Sequence, residues 1–319
     1  MPRCWADYIG LECCISRDPT AVDLAVRVCR GSEAYVSLAD TVSRGGAGIV
    51  DLVGKGICTF VRAWAEPSSE LNRYVDEIWL EFDDPSPGGG VTQLPSVFFS
   101  TYGSKLAAKW IADRAICLLL DRPVPDAIRV GLARCSAFLP ADGRPFHVGL
   151  MLSRGDPTSV RLCIEGIPPG EIVPYLLSLG WAENKRVAGD LIKELAVLAD
   201  NIALDLDASA TVGRKIGLEC CVADDADRRA AFFDYLVAHG LARRTAVDAL
   251  ARTCGGFFGL LEEEERTDGG SLVEVVWQSL NLAHVKIILE DGIASSSKAY
   301  LLAHSTFYSL ENHLSGGDH

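Results

Sequence analysis

Apolar and polar residues alternate along several short segments of the chain. Ile78–Asp83 reads IWLEFD, and Ile202–Asp207 reads IALDLD. Successive side chains of a β-strand point to opposite faces, so this period of two predicts strands with one apolar and one polar face. The same test along the whole chain predicts about nine strands. The others are Ile9–Ile15, Ser96–Ser100, Phe146–Ser153, Val160–Gly166, Lys215–Val222, His284–Glu290 and Lys298–Ala303.

The segments between these strands carry apolar residues at the spacing of amphipathic helices. Gly180 and Gly240 follow two of them as stops, and Pro168–Pro169 suits a helix start. Apart from the lone first strand, the strands pair into hairpins, so the predicted unit is helix, strand, strand, helix. The predicted helices are Ser104–Leu120, Pro169–Leu179, Val187–Ala199, Asp227–His239 and Thr245–Cys254.

Two short motifs occur twice. Ile9–Cys14 and Ile216–Cys221 both read IGLECC, and each precedes a run that we interpret as a helix, AVDLAVRVCRG and RRAAFFDYLVAHG. EIWLEFD, ending at Asp83, is echoed by NIALDLD, ending at Asp207. Such repetition indicates duplicated supersecondary units, repeated about four or five times. We expect a single domain over residues 1–319.

The polar strand faces lead to two alternative folds. In an open sheet, helices would cover one face and water the other. In a closed antiparallel barrel of roughly ten strands, the polar face would line a lumen ringed by helices. Trp79 and Tyr300 on the polar face favour this α+β barrel, since aromatic rings gain little from facing bulk water. The polar face comprises Trp79, Glu81, Asp83, Arg161, Glu165, Asp205, Asp207, Lys215, Glu219, His284, Lys286, Lys298 and Tyr300.

Composition narrows the choice of partner. A net charge of −13 and a pI near 4.9 argue against nucleic acid, because phosphate binding requires a basic surface. The eleven cysteines lack zinc-site spacing, which favours reduced, buried thiols. The first residues show no basic-then-apolar leader, and no apolar run approaches the roughly 18 residues of a membrane span. We therefore expect a cytoplasmic protein without a membrane span, and leave its oligomeric state open.

The predicted architecture resembles a known family. Repeated αββα units closing a ten-stranded barrel, together with the Lys-x-Tyr pattern of Lys298 and Tyr300, are similar to the aromatic prenyltransferases of the ABBA, or PT-barrel, family. The resemblance implies transfer of a prenyl group from an allylic diphosphate to an electron-rich aromatic or other small acceptor inside the lumen. The partners would be these small molecules.

The resemblance also implies roles for individual residues. The bases of the polar face would bind the diphosphate, and two aromatic rings would shield the allylic cation. Glu81 would orient or deprotonate the acceptor, with Asp83 as a further candidate catalytic carboxylate. Asp205 and Asp207 would be able to hold Mg²⁺. The diphosphate-binding set is Arg161, Lys215, Lys286, Lys298 and His284, and the shielding pair is Tyr300 and Trp79.

Three alternatives stay open. The many carboxylates favour an acid/base cyclase or isomerase of the terpenoid type, in which close pairs have split pKa values. A non-catalytic barrel that binds a ligand or peptide is equally compatible with the pattern. Each charged residue also has a purely structural interpretation, a salt bridge in the lumen, such as Lys215 with Asp207 or Lys286 with a neighbouring Glu. The carboxylates concerned are Glu12, Glu81, Asp83, Asp205, Asp207 and Glu219.

Overall fold

A computed structural model describes residues 6–17, 22–44, 53–83, 94–101, 107–155, 157–222, 225–265 and 271–312. The strands are β1 (Tyr8–Cys14), β2 (Val22–Cys29), β3 (Glu77–Phe82), β4 (Ser96–Ser100), β5 (Arg144–Leu150), β6 (Val160–Glu165), β7 (Asn201–Ala208), β8 (Val212–Cys221), β9 (Gly255–Glu265), β10 (Ser271–Glu290) and β11 (Ile293–Asn312). The helices are α1 (Glu33–Ser43), α2 (Lys55–Ala65), α3 (Glu70–Tyr74), α4 (Ala108–Trp110, Ile111–Ile116 as a π-helix, and Cys117–Leu120), α5 (Asp126–Ala137), α6 (Pro169–Ser178), α7 (Lys185–Leu198), α8 (Ala226–Ala238) and α9 (Arg244–Thr253).

Ten strands close into an antiparallel barrel. Strands β1 to β8 pair in chain order, β8 pairs with β10, β10 with β11, and β11 returns to β1. Closure satisfies the backbone groups that an open sheet would leave at its edges. The predicted barrel is confirmed, and the open sheet is wrong.

The helices pack outside this barrel. Ile78, Leu204 and Leu218, from the predicted apolar strand faces, are fully buried against them. Trp64 of α2 and Trp181, just after α6, are also inaccessible to solvent. Fully burying one large apolar side chain stabilises a fold by about 1.5–3 kcal/mol. The hydrophobic core is therefore the layer between barrel and helices, which leaves the polar strand faces to the lumen.

One segment has the wrong predicted structure. The run AVDLAVRVCRG, interpreted as a helix, contains strand β2, which pairs with β1 and β3. Its alternation, with Asp23 and Arg27 on one face, is a strand signal that the resemblance to the second IGLECC unit concealed. The first IGLECC therefore precedes a strand, whereas the second precedes helix α8. β2 is the strand that was missing from the first hairpin.

Other elements were absent from the prediction. Helices α1, α2, α3 and α5 and strand β9 were not predicted. The segment Glu262–Arg266 has no predicted strand, yet residues 262–265 belong to β9. The start of the predicted helix Ser104–Leu120 lies partly outside the described residues, and α4 begins at Ala108.

The last two barrel strands are much longer than expected. β10 and β11 have 20 residues each, where the pattern predicted His284–Glu290 and Lys298–Ala303. They turn at Asp291 and Gly292, with φ of 56° and 77°, as in a type I′ hairpin. Their distal halves pair with each other and, through β10, with β9, so a three-stranded ribbon extends beyond the barrel.

Two helices end at glycines, as the sequence predicted. Gly180 and Gly240 adopt φ of 84° and 69° after α6 and α8, which confirms both as helix stops.

Among the described residues, no helix combines the length and apolarity needed to cross a bilayer. Every described cysteine is a free thiol. A single domain over residues 1–319 stays a prediction.

Candidate active site

The barrel encloses a cavity of about 420 Å³. Charged, aromatic and small side chains from alternating strand positions line it, as the period of two predicted. Its volume lies within the range typical of small-molecule sites, about 300–1,000 Å³. The lining includes nearly all the predicted site residues: Trp79, Glu81, Arg161, Asp205, Asp207, Lys215, His284, Lys286, Lys298 and Tyr300.

One wall carries a network of bases and carboxylates, called the Lys286 wall below, which consists of Arg161, Asp205, Asp207, Glu219 and Lys286. The Lys286 ammonium group contacts Asp205 and lies 3.5 Å from Glu219 Oε1. Arg161 donates to both oxygens of Asp207, Nε at 3.0 Å and Nη2 at 3.1 Å, and its Nε lies 3.3 Å from Asp205 Oδ1. These contacts cross strands β6, β7, β8 and β10. The predicted salt bridge between Lys286 and a neighbouring Glu is thus confirmed, with Glu219 as the partner. Asp207 pairs with Arg161, and among the described residues no ion pair joins it to Lys215.

Burial changes the acid–base character of this wall. Burial raises the pKa of Glu219 to about 7, against the lowering effect of the Arg161 charge. Burial and the Arg161 charge lower the pKa of Lys286 to about 8. Contact with Asp205 opposes deprotonation, so we expect the ammonium form at pH 7.

A second base belongs to the neighbouring strand β11. Lys298 contacts Glu12 and lies 3.8 Å from Asp23 Oδ2. Burial opposes ionisation of Glu12, but Lys298 and the hydroxyl of Tyr300, which donates to Glu12, hold its pKa below the usual value. Tyr300 also stacks on His284, with ring centroids 4.4 Å apart.

His284 supplies no positive charge to the cavity. Burial, with the charge of His147, lowers the pKa of His284 to about 4, so its imidazole is neutral at pH 7. Its Nε2 lies 4.0 Å from Glu219 Oε2 and has no hydrogen-bond partner among the described residues. His284, which was predicted to bind the diphosphate, is therefore a neutral ring that stacks against Tyr300.

Glu81 differs from the other luminal carboxylates. No described residue forms a hydrogen bond or ion pair with its side chain. Burial and the nearby Glu12 charge raise its pKa to about 7, partly offset by Lys286. A carboxyl group that is close to half-protonated at neutral pH is suited to moving a proton in either direction. Glu81 is the strongest acid/base candidate in the cavity.

The opposite wall is organised around Glu77. Its carboxylate contacts the Arg27 guanidinium and accepts from Trp79 Nε1 and Ser100 Oγ, both at 3.0 Å. His147 Nε2 lies 3.4 Å from Glu77 Oε1. Burial opposes ionisation of Glu77, but hydrogen bonds from His147 and Trp79 and the Arg27 charge lower its pKa to about 2. These five residues are called the Glu77 wall below.

Glycines make room for large luminal side chains. A Cβ on Gly149 would lie 2.3 Å from the Phe98 ring, and a Cβ on Gly217 would lie 2.5 Å from Lys286 Cε. A Cβ on Gly10 would lie 3.2 Å from Ala25 Cβ and 3.3 Å from the Trp79 ring, which is tight but less severe than at the other two glycines. The absence of a side chain at these glycines leaves room for residues from neighbouring strands.

Two predicted residues have positions that limit their roles. Among the described residues, Asp83 does not line the cavity: it accepts from Ser153 Oγ at 2.6 Å and lies 3.5 Å from Arg154. Lys215 lines the cavity but is exposed at its rim. We therefore assign no chemical step to either.

The predicted magnesium ligands are already neutralised. Asp207 is paired with Arg161, and Asp205 contacts Lys286. Carboxylates suit Mg²⁺ as ligands, but two bases at these oxygens fit a resident Mg²⁺ poorly, since like charges repel. Magnesium binding stays a prediction, and we derive no step through it.

The sequence analysis missed several residues that line the cavity or, like Glu77, contact residues that line it. Arg27 and Asp23 were missed because β2 was interpreted as a helix. Glu77 lies one residue before the predicted strand Ile78–Asp83, on the same face as Trp79. Phe98 and His147 belong to predicted strands but were not chosen, since an alternation pattern does not show which side chains meet across the lumen.

Comparison with solved structures identifies the fold. The chain is similar to the prenyltransferase PriB in its apo form, with a TM-score of 0.51 and 17% identity over 93% of this chain and 79% of that one. It is also similar to 6-dimethylallyltryptophan synthase from Micromonospora olivasterospora in complex with DMASPP and Trp, with a TM-score of 0.50 and 14% identity over 93% and 81%. No protein-family model matches the sequence, and no curated protein does. The expected ABBA, or PT-barrel, fold is confirmed.

Proposed function

We propose that this protein transfers a prenyl group from an allylic diphosphate to an electron-rich aromatic or other small acceptor inside the barrel. One observation carries the proposal: Lys286, Lys298 and Arg161 converge with Tyr300 in the cavity inside the barrel. The two similar prenyltransferases share the fold, which supports the same class of chemistry without specifying the substrate.

The bases would stabilise the leaving diphosphate. When the bond between the allylic carbon and oxygen breaks, its electron pair leaves with the diphosphate. Lys286, Lys298 and Arg161 are held in place by carboxylates, and a diphosphate would replace these as the partner of each base. Charge-assisted hydrogen bonds of this kind are strongest where water is excluded.

The allylic cation would be shielded by aromatic rings. Lys286 Nζ lies 6.0 Å from the Tyr300 ring centroid, which places this ring beside the expected diphosphate position. Trp79 faces the same cavity from β3. Their π-faces would stabilise the cation without trapping it as a covalent product.

Glu81 would complete the reaction. A carbon of the acceptor attacks the cation, a new carbon–carbon bond forms, and the acceptor loses a proton. The carboxylate of Glu81 accepts that proton, which its pKa of about 7 permits near neutral pH. The acid form of the same group would be produced at each turnover and lose its proton to solvent.

A steady-state assay tests the proposal directly. Purified protein is incubated with dimethylallyl or geranyl diphosphate and an aromatic acceptor such as L-tryptophan or 2-naphthol, and prenylated product and diphosphate are measured together. We expect both in equal amounts. Diphosphate release without a prenylated product, or protection from thermal unfolding by neither substrate, would contradict transfer.

The acid/base cyclase or isomerase is the second candidate. It is favoured by one observation, the Glu81 carboxyl group with a pKa near 7 and no described partner. This chemistry would need no diphosphate and no acceptor. A rate with a bell-shaped pH dependence on a diphosphate-free terpenoid would support it over prenyl transfer.

A further inference from the structure

Glu77 lies next to the cavity without lining it. It is the first residue of β3, its side chain is 2% exposed, and among the described residues it is not part of the cavity lining. Three of its partners, Arg27, Trp79 and His147, do line the cavity. Glu77 can therefore act on a bound molecule only through these neighbours.

Its contacts fix the orientation of each neighbour. The hydrogen bond from Trp79 Nε1 sets the rotation of the indole ring. The centroids of the Trp79 and His147 rings lie 6.3 Å apart, with an interplanar angle of 66°. The Arg27 guanidinium group, held by Glu77, lies 5.7 Å from the Trp79 ring and 5.0 Å from Tyr8. Aromatic and cationic groups in fixed positions make a preorganised surface for a planar ring.

From this geometry we propose that Glu77 is a positioning residue that orients Trp79, His147 and Arg27 as the binding surface for the aromatic acceptor. This inference rests on the proposed function, since it names the part of that site where the acceptor lies. The bases Lys286 and Lys298 belong to β10 and β11, and their carboxylate contacts are Asp205, Glu219, Glu12 and Asp23 rather than Glu77. Glu77 should therefore affect the acceptor and leave the diphosphate unaffected.

Stability alone does not explain a carboxylate at this position. Burying a charged group carries a desolvation penalty that an apolar side chain of similar size avoids. Glu77 instead receives donors from four residues on four strands, β2, β3, β4 and β5. It remains ionised down to about pH 2, so it acts as a fixed acceptor rather than as a proton donor.

The test compares kinetic constants for the two substrates. Glu77→Gln keeps the size of the side chain but cannot accept from all four donors. With dimethylallyl diphosphate as donor and L-tryptophan or 2-naphthol as acceptor, we expect the acceptor KM to rise about tenfold and the diphosphate KM to change less than about twofold. An unchanged acceptor KM, or an equal rise in both, would overturn the inference.

A double-mutant cycle tests whether Glu77 acts through Trp79. Trp79→Phe keeps a ring but removes the Nε1 donor. If Glu77 acts by orienting this indole, the double variant should have an acceptor KM close to that of the worse single variant. Fully additive effects would show that Glu77 acts by another route and would overturn the inference.

Two further variants keep the test valid. Asp76→Asn, one residue away, removes a surface partner of Arg30 and should leave both KM values unchanged. If Glu77→Gln does not fold, Ser100→Ala removes one donor and keeps the carboxylate. It should raise the acceptor KM about threefold, since one of four hydrogen bonds is lost. No change for Ser100→Ala in that case would overturn the inference.

Binding without donor separates this inference from the proposed function. The affinity of 2-naphthol is measured by calorimetry for the wild type and Glu77→Gln. If the wild type binds 2-naphthol but transfers no prenyl group, a weaker affinity of Glu77→Gln supports the positioning role while the proposed function fails. If the wild type transfers a prenyl group and the affinities are equal, the proposed function stands and the positioning role is overturned. A wild type that binds no aromatic probe overturns both.

Discussion

The two walls of the cavity bury carboxylates in opposite ways. On the Lys286 wall, Asp205 and Glu219 both contact Lys286, and burial raises the pKa of Glu219 to about 7. On the Glu77 wall, one carboxylate receives donors from four residues, and its pKa is lowered to about 2. The number of donors per carboxylate decides whether a buried acid can change its charge or its partner.

We infer from this difference that the two walls bind different substrates. A buried carboxylate with few hydrogen-bond donors can be replaced by an incoming anion as the partner of its base, so the Lys286 wall suits a diphosphate. A carboxylate with a full set of donors holds its neighbours still, so the Glu77 wall suits an uncharged ring. The predictions below test this division, together with the Glu77 variants described above.

Replacing Lys286 should have the largest effect. Lys286→Met removes the most buried base from the wall that would hold the diphosphate, so we expect kcat/KM for dimethylallyl diphosphate to fall about a thousandfold. The acceptor affinity measured without donor should not change. A loss confined to the acceptor would reverse the assignment of the two walls.

This variant needs a stability control. Removing one partner of a buried ion pair destabilises a protein by about 3–5 kcal/mol, because the remaining charge is uncompensated. The double variant Asp205→Asn/Lys286→Met should recover most of the lost thermal stability but none of the activity. Recovery of activity in the double variant would indicate that Lys286 acts only as a structural partner of Asp205.

Replacing Glu81 should have the next largest effect. Glu81→Gln keeps the shape of the side chain and removes the proton acceptor, so we expect kcat to fall about a hundredfold. In the wild type, kcat should rise with pH through about 7, as Glu81 loses its proton, and this rise should be absent in the variant. The same rise in both proteins would contradict a proton-accepting role.

Diphosphate affinity should depend on pH. Protonated Glu219 and Glu81 repel an anion less than their ionised forms, and their pKa values are raised to about 7. The pKa of Lys286 is lowered to about 8, so its positive charge is also lost as pH rises. We expect the Kd of dimethylallyl diphosphate to increase about tenfold between pH 6 and 8.5.

Calorimetry in two buffers of different ionisation enthalpy checks this pH dependence. Binding near pH 7 should take up protons, because an anion in the cavity favours the protonated forms of Glu219, Glu81 and Lys286. Proton release on binding, or an affinity that is constant over this range, would contradict exchangeable carboxylates on the Lys286 wall.

Glycine substitutions should have the smallest effect on the reaction. In Gly149→Ala the new methyl group would lie 2.3 Å from the Phe98 ring, so we expect the free energy of unfolding to fall by about 1–3 kcal/mol. Gly10→Ala is the matched control, because its nearest contacts are 3.2 Å and 3.3 Å. Equal thermal stability of the two variants would show that Phe98 moves aside freely.

Much of the barrel wall was predictable because strand geometry is local. Alternation placed Glu81, Lys286, Lys298 and Tyr300 on one face, and the structure puts all four in the cavity. β2 was missed although Asp23 and Arg27 alternate with apolar residues. The IGLECC motif before β2 also precedes helix α8, so the same local motif leads into a strand in one place and a helix in the other.

The sequence by itself determined the alternating faces of the strands and the glycine stops of two helices, because both depend on the backbone of a few consecutive residues. Only the tertiary structure decided which base meets which carboxylate: Arg161 with Asp207, Lys298 with Glu12, Arg27 with Glu77. These partners are 46, 286 and 50 residues apart in the chain. Their pairing follows from strand register and barrel closure, which depend on contacts summed over the whole fold.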